Sequence, residues 1–106
     1  MHIDEYQIWT RTTVAYPQDA EAEYLTSGLV GEVGELYSAM AKFHRGDYDT
    51  DEAISRMFAE FGDILWFLAR FADYYGWSMS ELIDSNIRKL SKRKDEGTLK
   101  GDGDDR

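Results

Sequence analysis

Two pairs of acidic residues stand three positions apart: Glu32 with Glu35, and Glu60 with Asp63. On a helix that spacing sets the members of a pair about 60° apart on one face. Carboxylates so placed can hold a divalent cation or take a proton. One E-x-x-E is commonplace on a solvated helix face, so the apolar pattern around each pair decides its weight. Leu25, Leu29, Leu36, Met40 and Phe43 fall within a sector of roughly 60°, with Glu32 at its edge. Ala53, Met57, Ile64, Phe67, Leu68 and Phe71 form a second sector, and Glu60 projects into its middle. An ionised carboxylate buried without compensation costs several kcal/mol, on the order of a whole domain's margin, so Glu60 must be paired, protonated or metal-bound. Between Glu21 and Asp73 the only cations are Lys42, Arg45, Arg56 and Arg70. If the two helices pack antiparallel along their stripes, four acids converge and the charge deficit asks for a divalent ion. Hard oxygen ligands in an open groove suit Mg²⁺, with Mn²⁺ able to substitute. Zinc lacks its usual ligands: the chain has no cysteine, and its two histidines, His2 and His44, are not spaced as a ligand pair.

Four helices must carry these groups, giving an all-α fold. The first is expected over residues 3–15, ended by Tyr16-Pro17 because proline disfavours a helical residue before it. The second is expected over 19–44 and closes at Arg45-Gly46-Asp47. The third runs from an acidic first turn at Asp51 to Tyr75, with Gly76 as its stop. Ser78, with Glu81 three residues on, reads as a capping box for a fourth helix reaching Lys94. Gly28, Gly31 and Gly34 lie inside the second helix, where close packing or ligand approach would justify them. Residues 1–96 therefore form one domain, and the Gly- and Asp-rich residues 97–106 read as a mobile tail with too little apolar content to pack.

Composition narrows the function. In 106 residues, 21 acids against 12 bases leave a net charge of −9, which repels nucleic-acid phosphates and argues against nucleic-acid binding. A phosphate-bearing small molecule would need cations to bridge it to so acidic a chain. Absence of cysteine suits a reducing cytosol, and no stretch approaches the ~18 apolar residues of a membrane span, so a cytoplasmic protein without membrane contact is expected.

Gly31-Glu32-Val33-Gly34-Glu35-Leu36, followed after a spacer by Glu60-Phe61-Gly62-Asp63-Ile64-Leu65-Trp66, resembles the E-x-x-E, E-x-x-D signature of MazG-type nucleoside triphosphate pyrophosphohydrolases. The likeness extends to Glu5-Tyr6-Gln7, Arg11-Thr12, Tyr16-Pro17, Asn86, Lys89-Leu90, Arg93 and the closing Gly-x-Gly-Asp-x-Arg, and is nearest to the compact phage and bacterial type. It implies a four-helix domain completed by dimerisation into a helical bundle, as a homodimer or homotetramer. It further implies Mg²⁺-dependent cleavage of an NTP or dNTP to the monophosphate and pyrophosphate. Glu32, Glu35, Glu60 and Asp63 would be the metal ligands, one sharing duty as base for the attacking water. Asn86, Lys89 and Arg93 lie within about 60° on one helix face and, with Lys42, would contact phosphates or sugar. Trp9, Trp66 and Trp77 could each stack on a base, and Trp9 is the favoured one. Two rival readings use the same residues: a non-catalytic helical interaction or regulatory module, and a pyrophosphohydrolase acting on a phosphoribosyl-ATP-like molecule.

Overall fold

The computed structural model describes all residues from Met1 to Arg106, and it contains four α-helices and no strand. Helix α1 spans Ile3–Thr10, α2 Glu21–Arg45, α3 Thr50–Tyr75 and α4 Met79–Glu96.

Helix α1 starts on a capping box, with the His2 side chain accepting from Asp4 N–H and Glu5 reaching back to His2 N–H. It ends five residues before the expected Ala15 and tightens into a 3₁₀ turn at Arg11–Thr13. Threonines cause the early stop: the hydroxyls of Thr10, Thr12 and Thr13 donate to the carbonyls of Gln7, Trp9 and Thr10, offering the backbone an alternative to the helical ladder. After Pro17 a second 3₁₀ turn, Gln18–Ala20, precedes α2, which therefore begins two residues later than expected. Helix α3 begins one residue early because Asp49, whose side chain accepts from Glu52 N–H, is its N-cap. Ser78 and Glu81 form the expected capping box of α4, which runs two residues beyond Lys94 to a left-handed Gly97. Gly46 and Gly76 also adopt positive φ at helix ends, a conformation that costs glycine least.

Helices α2 and α3 form an antiparallel hairpin. Gly28 faces Phe67, Glu32 faces Glu60 and Asp63, and Met40 shares a wall with Ala53 and Met57, so positions descend along α3 as they rise along α2. A Cβ at Gly28 would run into the Phe67 ring. That glycine is a packing requirement, whereas Gly31 and Gly34 face open space. Tyr16, Leu25 and Phe67 make one core cluster; Ala69, Ala72 and Met79, with Ile3 and Tyr6 of α1 against them, make another.

Helix α4 hangs chiefly on α1. Gln7 is buried and clamps the α3–α4 corner, donating to Trp77 O at 2.8 Å and accepting from Met79 N–H at 2.8 Å. Asp4 accepts from Ser80 N–H and from its hydroxyl. No helix is long and apolar enough to cross a membrane.

Candidate metal and nucleotide site

Antiparallel pairing decides which acids meet. Carboxylate oxygens of Glu32, Glu60 and Asp63 lie within 4.8 Å of one another at the middle of the α2–α3 seam. Glu60 and Glu32 are partly buried and Asp63 is exposed. Glu35 is not in this cluster. One turn further along α2, it is exposed and lines an adjoining cleft of about 200 Å³ with Lys42, Tyr48, Arg56 and Glu60.

The cluster is electrostatically unfinished. Oε2 of Glu60 is buried and receives no hydrogen bond, a state that ordinarily costs about 1–3 kcal/mol. Burial first, then the adjoining Glu60 carboxylate and the charges of Asp63 and Glu35, push the Glu32 carboxyl up to about 7. Without an ion, a proton does part of the work of a counterion. The neighbouring arginines do not help. Arg45 pairs with Asp47, Arg56 pairs with Glu52 while lying 4.2 Å above the Tyr48 ring, and Arg70 pairs with Asp73 and Glu21. Of the four cations between Glu21 and Asp73, Lys42 alone has no ion pair. Three clustered carboxylates with one orphaned buried oxygen are a hard-oxygen donor set that fits Mg²⁺ or Mn²⁺.

Helix α1 supplies the aromatic edge. Burial and the charge of Asp63 raise the Tyr6 hydroxyl above its ordinary value, which places Tyr6 in the field of the acids. Trp9 stacks on Tyr6 with ring centroids 6.1 Å apart and remains 47% exposed, leaving a face for a planar ligand. Of the other two tryptophans, Trp66 packs on the first core cluster and donates to the Thr13 hydroxyl, while Trp77 stacks on Tyr75.

The three polar residues of α4 meet different fates. Asn86 and Lys89 are exposed, but Arg93 is buried beneath residues 97–106. None of them lines the cleft beside the acids, and α4 forms no interface with α2 or α3 comparable to its interface with α1. Within one chain, the acids and the α4 group thus remain separate constellations.

The sequence reading missed a second charged cluster. Arg70, only 6% exposed, lies between Asp73 (2.9 Å) and Glu21 (3.6 Å) and donates to the hydroxyls of Tyr16 and Thr10. Arg11 completes it with two hydrogen bonds to Asp73. Arg70 falls about 60° outside the apolar sector of its helix, and its i, i+3 spacing to Asp73 was the available signal.

Residues 20–98 match the family model described as the MazG nucleotide pyrophosphohydrolase domain. Over 115 aligned residues spanning the whole of both chains, the sequence is 37% identical to the Gene 37 protein of Mycobacterium phage L5. No solved structure matches. The chain, whose E-x-x-E and E-x-x-D helices face each other across one antiparallel seam, belongs to the MazG nucleotide pyrophosphohydrolase family.

Proposed function

We propose that this protein hydrolyses a nucleoside or deoxynucleoside triphosphate to the monophosphate and pyrophosphate, with Mg²⁺ held by Glu32, Glu60 and Asp63. The convergence of three carboxylates on an orphaned, buried Glu60 oxygen carries the reading. A bound divalent ion would supply Lewis-acid activation and neutralise charge developing on the phosphoryl oxygens.

The chain's own residues do the rest. Glu35 borders both the acid cluster and Lys42, a position from which a carboxylate either completes the ion's ligand set or accepts the proton of the attacking water. Lys42, free of any ion pair, is available to a phosphate entering the same cleft. The exposed face of Trp9, backed by Tyr6, offers the base a stacking platform. Asn86, Lys89 and Arg93 stand apart from the acids within one chain, so they would hold phosphate or sugar oxygens at the acid site only where a second copy brings its α4 there.

A second copy of the chain fits what the first leaves exposed. Ile54, Phe58, Phe61, Leu65 and Leu68 recur at alternating spacings of four and three along α3, with Phe58 81% exposed, and Val30, Val33 and Tyr37 do the same on α2. So long an apolar seam is the signature of helices that bury their stripe against another chain.

Purified protein with Mg²⁺ and a panel of NTPs and dNTPs should yield monophosphate and pyrophosphate in equal amounts. Diphosphate with orthophosphate as products, or undiminished turnover in Asp63→Asn, would overturn the reading.

A further inference from the structure

The residues after α4 fold back onto the cations assigned above to phosphate. Gly97, Gly101 and Gly103 all have positive φ, and these glycines reverse the chain. Nη2 of Arg93 donates to Asp104 O at 3.0 Å and Asp104 Oδ1 at 3.2 Å, and Lys89 Nζ approaches the same Oδ1 at 3.4 Å. Thr98 N–H donates to Arg93 O at 2.7 Å. Arg106 ties the loop together through the carbonyls of Thr98, Leu99 and Gly103.

Two features mark this contact as provisional. The Arg93 side chain is only 6% exposed, so under the folded tail it has no room for a ligand; the Asp104 side chain that occupies it is 85% exposed. Arg93 Nε is also buried with no acceptor. A single carboxylate oxygen thus bridges two cations and leaves a guanidinium donor unused, where a phosphate could accept from Nε and Nη2 together.

Resting on the reading that Lys89 and Arg93 take substrate phosphates, we propose that residues 97–106 are a displaceable strap. Asp104 holds a phosphate's place on Lys89 and Arg93, and an anionic substrate must open the strap to engage them. The closed strap reduces apparent affinity by the fraction of molecules that are closed. The lowered proton affinity of the Asp104 carboxyl, caused first by Arg93 and then by Lys89, keeps the strap anionic at neutral pH.

The test measures binding rather than turnover. Inorganic tripolyphosphate with Mg²⁺ is titrated calorimetrically into full-length wild type, Asp104→Asn and Asp105→Asn, the last removing the same charge from a residue with no hydrogen-bond partner. Backbone amide shifts of residues 98–106 are followed by NMR in parallel. The strap predicts that Asp104→Asn binds about threefold to tenfold more tightly, that Asp105→Asn matches wild type, and that tripolyphosphate moves the wild-type tail amides toward random-coil positions. Equal or weaker binding by Asp104→Asn, equal tightening by Asp105→Asn, no binding by any chain, or tail amides unmoved at saturation would each overturn it. A chain that binds tripolyphosphate yet cleaves no nucleotide contradicts the pyrophosphohydrolase reading instead, and the Asp104→Asn comparison still decides the strap.

Discussion

Helices α2 and α3 gather acids at two places, and only one of the two supplies its own cations. At the wide end of the hairpin, Glu21 and Asp73 close on Arg70, with Arg11 reaching in from beyond α1. At the middle, Glu32, Glu60 and Asp63 converge with no arginine among them. The first cluster is complete and ties α1, the Tyr16 turn, α2 and α3 together. The second keeps an orphaned oxygen and a carboxyl displaced upward to about 7. Acids that satisfy themselves hold a fold; acids left in deficit are places for a ligand's charge.

The contrast breaks first at Arg70. Arg70→Ala leaves Glu21 without its cation and Asp73 with only the exposed Arg11, and loss of one partner from a buried pair costs up to roughly 3–5 kcal/mol; urea unfolding should show it as a lower midpoint. Glu60→Gln should act in the opposite sense. Pyrophosphate release falls about 100-fold or more, as for removal of a key electrostatic group, while the metal-free chain holds its stability to within about 1 kcal/mol or gains some. A large loss of stability in Glu60→Gln would make the acid cluster structural after all.

The two clusters respond to pH with opposite signs. Asp73 is held below its ordinary value, first by Arg11 and then by Arg70. Its contribution is present above the ordinary aspartate range and is lost as pH falls through the lowered value. Glu32 is raised, so in metal-free protein the folded state binds the extra proton and stability declines as pH rises from about 4.5 to about 7. Thermal melts in chelator should therefore show a maximum on the acid side of neutrality, flattened on the alkaline limb by Glu32→Gln. The smallest effect separates the clusters by ligand: millimolar Mg²⁺ should raise the melting temperature of wild type by a few degrees, about 1 kcal/mol or less at modest occupancy, and should not raise that of Glu60→Gln.

Much of this was legible in the sequence where periodicity carries information. The four helices, the Gly46 and Gly76 stops, the Ser78 capping box and the intrusion of Glu60 into an apolar sector all follow from residue spacing. Glu32 and Asp63 joined Glu60 through the antiparallel seam. Glu35 did not: one turn further along α2, it lines the adjoining cleft with Lys42 and Glu60. Arg70 counted among the few cations available to the acids; its partners Glu21 and Thr10 lie on other elements, beyond the reach of any single-helix projection. The early end of α1 came from hydroxyls competing for carbonyls, which an apolar count does not register. The contact of Asp104 with Arg93 spans eleven residues through positive-φ glycines, a geometry without periodicity.

The most direct measurement is the titration of side-chain carboxyls by NMR with and without Mg²⁺. The Glu32 carboxyl should titrate near 7 in chelator and move sharply downward when Mg²⁺ is added, while Asp73 does not move. If Glu32 titrates identically with and without Mg²⁺, the acid cluster is not the ion's site.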